Sequence, residues 1–167
     1  MTFAVRNEAA HTHELAILDR LRSKGWEAEL FGQALLPEPI RDHLKRFEDS
    51  YRHPTLLRWM PDIIAACKHT ISRSYVCLID AKTCNDRPNY AIEVSAIDSM
   101  DVFTERLLMP SFFVFEDWRV LTAREARLRG SPGPQMGNGS GTAYVLVPRG
   151  YGRNFDEIFP KANGAKT

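Results

Sequence analysis

The sequence predicts an α/β domain whose core elements run helix, strand, strand, strand, helix, strand. Three observations carry this: an apolar helical stripe near the start, two strand-like runs that follow one another between residues 60 and 82, and the run SFFVFEDW, whose four consecutive apolar residues mark a strand buried on both faces. The 167 residues fit one domain, 1–167, with a real core. A hydrophobic content of 44% with 26% charged residues excludes a disordered chain. No apolar run reaches the roughly 18–20 residues that span a bilayer, so no membrane partner is expected. The opening MTFAVRNEAAHTHE lacks the apolar centre of a signal peptide, which predicts a cytoplasmic location. The net charge is +1, so any basic surface must be local. Cys67, Cys77 and Cys84 have no C-x-x-C spacing and read as buried thiols; no second pair completes a zinc site with Cys67 and His69.

Residues 8–24 place Leu15, Ile17, Leu18 and Leu21 along a helical stripe, with Thr12 as a partial cap and Gly25 as the stop. WEAELF, 26–31, alternates as a first strand. Over 37–52, Ile40, Leu44, Phe47 and Tyr51 are spaced four, three and four, which predicts an amphipathic helix. Strands at about 60–67 and 74–82 form a hairpin around the polar link KHTISR. Residues 89–108 return to helical spacing through Ile92, Ala96, Met100, Phe103 and Leu107, with Ser95 and Asp98 as a capping box inside the segment and Pro110 as its end. Phe112, Phe113 and Phe115 read as core. Thr122 and Glu125 form another capping box ahead of a short basic helix. GSPGPQMGNGSG, 130–141, has five glycines, two prolines and no charge, which predicts a mobile loop. It lacks the Gly-Lys-Ser/Thr of a phosphate-cradling loop. TAYVLVPR, 142–149, is a last strand, and FDEIF docks as a final turn.

The chemistry concentrates in the hairpin. Pro61 lacks an N–H and suits the start of a strand, which puts Asp62 at its mouth. Asp80 and Lys82 are two apart near the end of the next strand and so share a face. In an antiparallel pair the start of one strand lies beside the end of the other, so Asp62 is expected beside Asp80 and Lys82. Crowded carboxylates favour a cation between them. Hard oxygen ligands without a histidine cluster favour Mg²⁺ or Mn²⁺. Such an ion acidifies water for attack on a phosphodiester, and Lys82 would orient that water or stabilise charge. An ordinary surface ion pair is the plainer alternative.

Pro61-Asp62, then seventeen residues, then Asp80-Ala81-Lys82 resembles the signature of the PD-(D/E)xK nuclease superfamily. The element order is also similar to that superfamily's restriction-endonuclease-like αβββαβ core, which implies a mixed central sheet. HELAILDRLRSKGWEAELF is similar to the first helix and strand of archaeal-type Holliday-junction resolvases, with Glu14 and Gly25-Trp26 in matching places. The resemblance covers roughly residues 12–117. It implies Asp62, Asp80, the Ala81 carbonyl and Glu14 as metal ligands and Lys82 as the catalytic lysine. It also implies a magnesium-dependent endodeoxyribonuclease acting on branched DNA in recombination or repair, with a restriction-type duplex nuclease or a non-catalytic DNA-binding module as alternatives. The helix at 37–52 and the glycine-rich stretch are additions to a compact resolvase, and they put the substrate in question. His11 and His13 read as solvated.

Two basic clusters are candidates for phosphate contact: Arg41, Lys45, Arg46, Arg52 and Arg58, and then Arg119, Arg124, Arg127 and Arg129. Lys68, His69 and Arg73 in the hairpin link extend them. One site per chain and two strands to cut predict a two-fold homodimer.

Overall fold

The computed structural model describes residues 3–46, 56–70, 73–84, 87–133 and 143–162. A long helix α1 (Phe3–Ser23) leads through Gly25, at φ 82°, into β1 (Glu27–Leu30). A 3-10 turn at Gly32–Leu35 and helix α2 (Glu38–Arg46) follow. The hairpin is β2 (Ile63–Thr70) and β3 (Arg73–Lys82). Next come β4 (Asn89–Glu93), α3 (Val94–Arg106), β5 (Ser111–Phe115), β6 (Arg119–Thr122) and α4 (Ala123–Arg129). The chain closes with β7 (Ser131–Pro132), β8 (Tyr144–Pro148), β9 (Arg153–Asn154) and α5 (Phe155–Ile158). Among the described residues, no helix is long and apolar enough to cross a membrane.

Six strands form the central sheet in the order β1-β2-β3-β5-β6-β9, and β4-β8-β7 form a second, smaller sheet. The central sheet is mixed: β1, β2 and β3 are antiparallel neighbours, whereas β3 and β5 run parallel, Asp80 beside Phe113 and Lys82 beside Phe115. β5 is buried at every position because its two faces serve two cores. Phe112 and Val114 join Ile17, Leu21, Trp26, Ile63 and Ile79 under α1. Phe113 and Phe115 join Tyr90, Ile92, Ile97, Met100 and Val147 on the other side. Each such phenylalanine contributes roughly 1.5–3 kcal/mol by leaving water.

Several expectations need correction. α1 begins at Phe3, so Thr12 lies inside it and not at its start. Leu15 is 44% and Ile40 49% exposed, which narrows both apolar stripes. The hairpin strands run on into Lys68, Thr70 and Arg73, leaving a shorter link than KHTISR. Residues 89–93 are strand, not helix; Tyr90 and Ile92 point into the core at period two, and α3 starts from Glu93 without a Ser95 capping box. TAYVLVPR forms a strand as expected, and it pairs with β4 in the smaller sheet. The strand β6 went unread before the Thr122–Glu125 capping box, which is present with both reciprocal bonds. FDEIF docks as expected, with Phe155 and Phe159 fully buried. Much of the glycine-rich stretch and the end of the 37–52 helix lie outside the described residues.

Candidate active site

Asp62 is fixed by its backbone before its side chain acts. Its N–H donates to Ile79 O at 2.9 Å, and its carbonyl accepts from Phe31 N–H at 2.7 Å. Gly32, at φ 64°, allows the approach: a Cβ there would collide with Pro61 O. The antiparallel register pairs Ile63 with Ile79 and thereby brings Asp62 level with Asp80. Asp62 Oδ2 accepts from the Ala81 N–H at 2.8 Å, and the register sets its carboxylate beside that of Asp80. Cys77 and Ile79 turn into the α1 core; Asp80 and Lys82 therefore turn to the opposite face, beside Phe113, whose ring lies 5.9 Å from the ammonium.

Lys82 is nearly enclosed, with 14% of its side chain exposed, and its Nζ stands 3.1 Å from Asp80 Oδ1 and 3.2 Å from Glu93 Oε2. Glu93 ends β4 at the start of α3 and was not foreseen. The indole of Trp59 lies 5.8 Å from the same ammonium. Glu14 is 17% exposed, accepts from or faces His11 Nδ1 at 3.2 Å, and is close enough to Asp62 to disfavour its charge. His13, expected in solvent, is buried instead: its Nε2 meets Val114 O at 3.1 Å, and burial lowers its pKa.

The charges explain the titration. Burial raises the Asp62 pKa to about 6; the Lys82 charge and the Ala81 N–H pull it down, while Glu14 pushes it up. Burial lifts Asp80 well above the carboxylate range against the opposing Lys82, with Asp62 and Glu93 adding to the rise. For Lys82, burial acts to lower the pKa, yet Asp80, Glu93 and Asp62 together raise it. The ammonium therefore stays charged, and the carboxylates around it exceed what one cation neutralises.

This donor set fits a hard divalent cation. Mg²⁺ is commonly held by one or two carboxylates, with substrate phosphate and water completing its shell. Asp62 and Asp80 supply two converging carboxylates, costly to ionise together without a cation. Among the described residues no group of three or more His, Cys, Asp or Glu gathers in a metal-holding arrangement; Glu93 is paired with the Lys82 ammonium.

Comparison of the sequence with known protein families finds no match, and comparison with curated proteins finds none either. Among solved structures, the chain is similar to Archaeoglobus fulgidus Hjc, a Holliday junction resolvase from an archaeal hyperthermophile. The TM-score is 0.54 at 12% identity, over 92% of this chain and 97% of that one. The chain shares that resolvase's fold. It is a restriction-endonuclease-like fold, as the Pro61-Asp62 and Asp80-Ala81-Lys82 signature implies.

Within this resolvase-like fold the basic residues part company. Arg58 stacks on Trp59 at 5.5 Å and so stands near the carboxylate rim. Arg41 is half-buried on α2, its Nε shielded and without an acceptor among the described residues. Lys68 and Arg124 are exposed, and Lys68 belongs to the far end of the hairpin. Arg127 bridges Asp98 and Asp101, Arg119 donates to Gly152 O at 3.2 Å, and Arg129 covers Tyr151 at 5.2 Å. Arg52 and the side chains of Lys45, Arg46, His69 and Arg73 lie outside the described residues. Glu93 was missed, although the alternation of Tyr90 and Ile92 marks a strand that ends on it.

Proposed function

We propose that the chain is a divalent-metal-dependent endodeoxyribonuclease, with branched DNA as its substrate. The observation that supports this reading best is the meeting of Asp62, Asp80 and Lys82 at one sheet margin. In this reading Asp62 and Asp80, with the Ala81 carbonyl, would hold Mg²⁺ or Mn²⁺, and Glu14, near enough to Asp62 to disfavour its charge, would add negative charge beside the ion. Such an ion supplies Lewis acidity toward a phosphate oxygen and lowers the pKa of water. The Ala81 N–H locks one Asp62 oxygen and leaves the other to the site. Lys82 keeps its proton on Nζ and offers positive charge to a phosphate whose charge grows during attack. Phe113 and Trp59 keep water away from that ammonium, which strengthens its pull.

Arg41, Lys45, Arg46, Arg52, Arg58, Lys68, Arg73 and Arg124 are the residues we assign to phosphate contact, which provides affinity with little sequence discrimination; Arg127, already held by Asp98 and Asp101, drops out of that set. Arg58 has the strongest support, through its place beside Trp59. Two copies related by a two-fold axis would present one site to each of two strands.

The test uses labelled four-way junction, linear duplex and single strand, each with and without Mg²⁺. Metal-dependent cutting of the junction alone is the expected result, and Asp80→Asn is expected to lose at least 10³-fold in cleavage while still binding the junction. Cutting of particular duplex sequences would transfer the site to a restriction-type nuclease. Binding without cleavage in Mg²⁺ or Mn²⁺ would leave a DNA-binding module, and undiminished cutting by Asp80→Asn would exclude this site.

A further inference from the structure

Glu93 occupies the N-cap of α3, where a carboxylate ordinarily turns back to bond the first N–H groups of the helix. It makes no such bond. Its backbone is held in place from both sides: the β4–β8 register sets it opposite Tyr144, and Val94 N–H donates to Ala143 O at 3.0 Å. Ile92 and Ala96, on either side in sequence, are fully buried. The carboxylate is turned to Lys82 instead, and Oε2 is shut off from solvent with no aligned hydrogen bond, the ammonium at 3.2 Å being its compensation.

Asp80 is shared in a way Glu93 is not. It faces Lys82 at 3.1 Å and lies opposite Asp62 in the hairpin register, so in the nuclease reading its oxygens are also claimed by the cation. Asp62 has one oxygen committed to the Ala81 N–H. A second carboxylate is needed if the ammonium is to hold its place while Asp80 serves elsewhere. We propose that Glu93 is the positioning residue for Lys82, anchoring its ammonium from the second sheet so that the amine stays aimed at the substrate phosphate. This rests on the nuclease reading above. It also gives the smaller sheet a role, since β4 and β8 carry the anchor while the central sheet carries the groups that meet the substrate.

The test has one readout independent of activity. In metal-free protein labelled with ¹⁵N-lysine, an anchored, enclosed ammonium exchanges slowly with water and gives a protected Nζ signal, assigned to Lys82 by its loss in Lys82→Arg. The signal is expected in the wild type, weaker in Glu93→Gln, which keeps an acceptor oxygen, and absent in Glu93→Ala. Single-turnover cleavage in Mg²⁺ is expected to fall at least tenfold in Glu93→Ala and by less in Glu93→Gln, with junction affinity measured in Ca²⁺ unchanged. If Glu93→Ala does not fold, the near-isosteric Gln variant carries both comparisons. A wild type without a protected Lys82 signal overturns the proposal, as does a variant in which signal and rate fail to fall together. A wild type that cuts no DNA overturns the nuclease reading, and the Nζ signal alone then decides whether Glu93 anchors Lys82.

Discussion

Two places in the molecule set one cation between two carboxylates, and they differ in nearly everything else. Lys82 lies between Asp80 and Glu93, with side-chain exposures of 14%, 9% and 21%. Arg127 lies between Asp98 and Asp101, with exposures of 46%, 57% and 23%. The Arg127 network joins α3 to α4 on the surface, where water screens it and an ion pair is worth roughly 0–1 kcal/mol. The Lys82 network is walled by Phe113 and Trp59, and removing one partner of an enclosed pair costs about 3–5 kcal/mol. The same count of charges therefore produces a clip in one place and, in our reading, a catalytic centre in the other. The excess of charge marks the difference: Asp62 crowds in as well, so that Asp80, Glu93 and Asp62 all act on the one Lys82 ammonium.

Removing each cation gives the largest test of this contrast. Lys82→Met is expected to lower metal-free stability by about 3–5 kcal/mol near neutral pH, read from urea midpoints. A cost no larger than that of Arg127→Ala would place Lys82 in the same class as a surface pair. The next effect concerns pH. Folded Asp62 binds its proton up to about 6 against an ordinary value of 3.8, so between those values the folded state holds more protons than the unfolded one. Stability of the metal-free protein should thus fall as pH rises through this window, by on the order of 3 kcal/mol, with Asp80 acting in the same direction. Lys82, whose pKa is raised, contributes stability that is lost only in strong alkali. Thermal melts in EDTA from about pH 4 to about pH 8 measure this, and a rising Tm would break the account. Asp62→Asn should flatten the slope. The smallest effect is that of Arg127→Ala, expected within about 1 kcal/mol and weakened by salt; a larger loss would mean the surface network is more enclosed than its exposure indicates.

Where pattern and packing coincide, the fold was readable in advance. The Ile17, Leu18 and Leu21 stripe, the two hairpin strands and SFFVF each meet the core they imply. The Asp62–Asp80–Lys82 meeting followed from strand direction and period alone. NYAIE misled because Ile92, Ala96 and Met100 lie four apart and imitate a helical face across a strand-to-helix junction. The smaller sheet was hidden because residues 89–93 find their partners at 144–148, a pairing that no local spacing announces. The same reason hid Glu93 as an ion partner of Lys82 and hid the two carboxylates that occupy Arg127, 26 and 29 residues away along the chain. His13 escaped because its partner is a backbone carbonyl 101 residues distant.

The central claim, that Asp62 and Asp80 jointly hold a divalent ion beside the Lys82 amine, is tested most directly by crystals soaked in Mn²⁺ and read for anomalous scattering. A peak touching both carboxylates, absent from Asp80→Asn crystals, is the predicted result. Saturating Mn²⁺ that binds elsewhere, or leaves the pair bare, would contradict it.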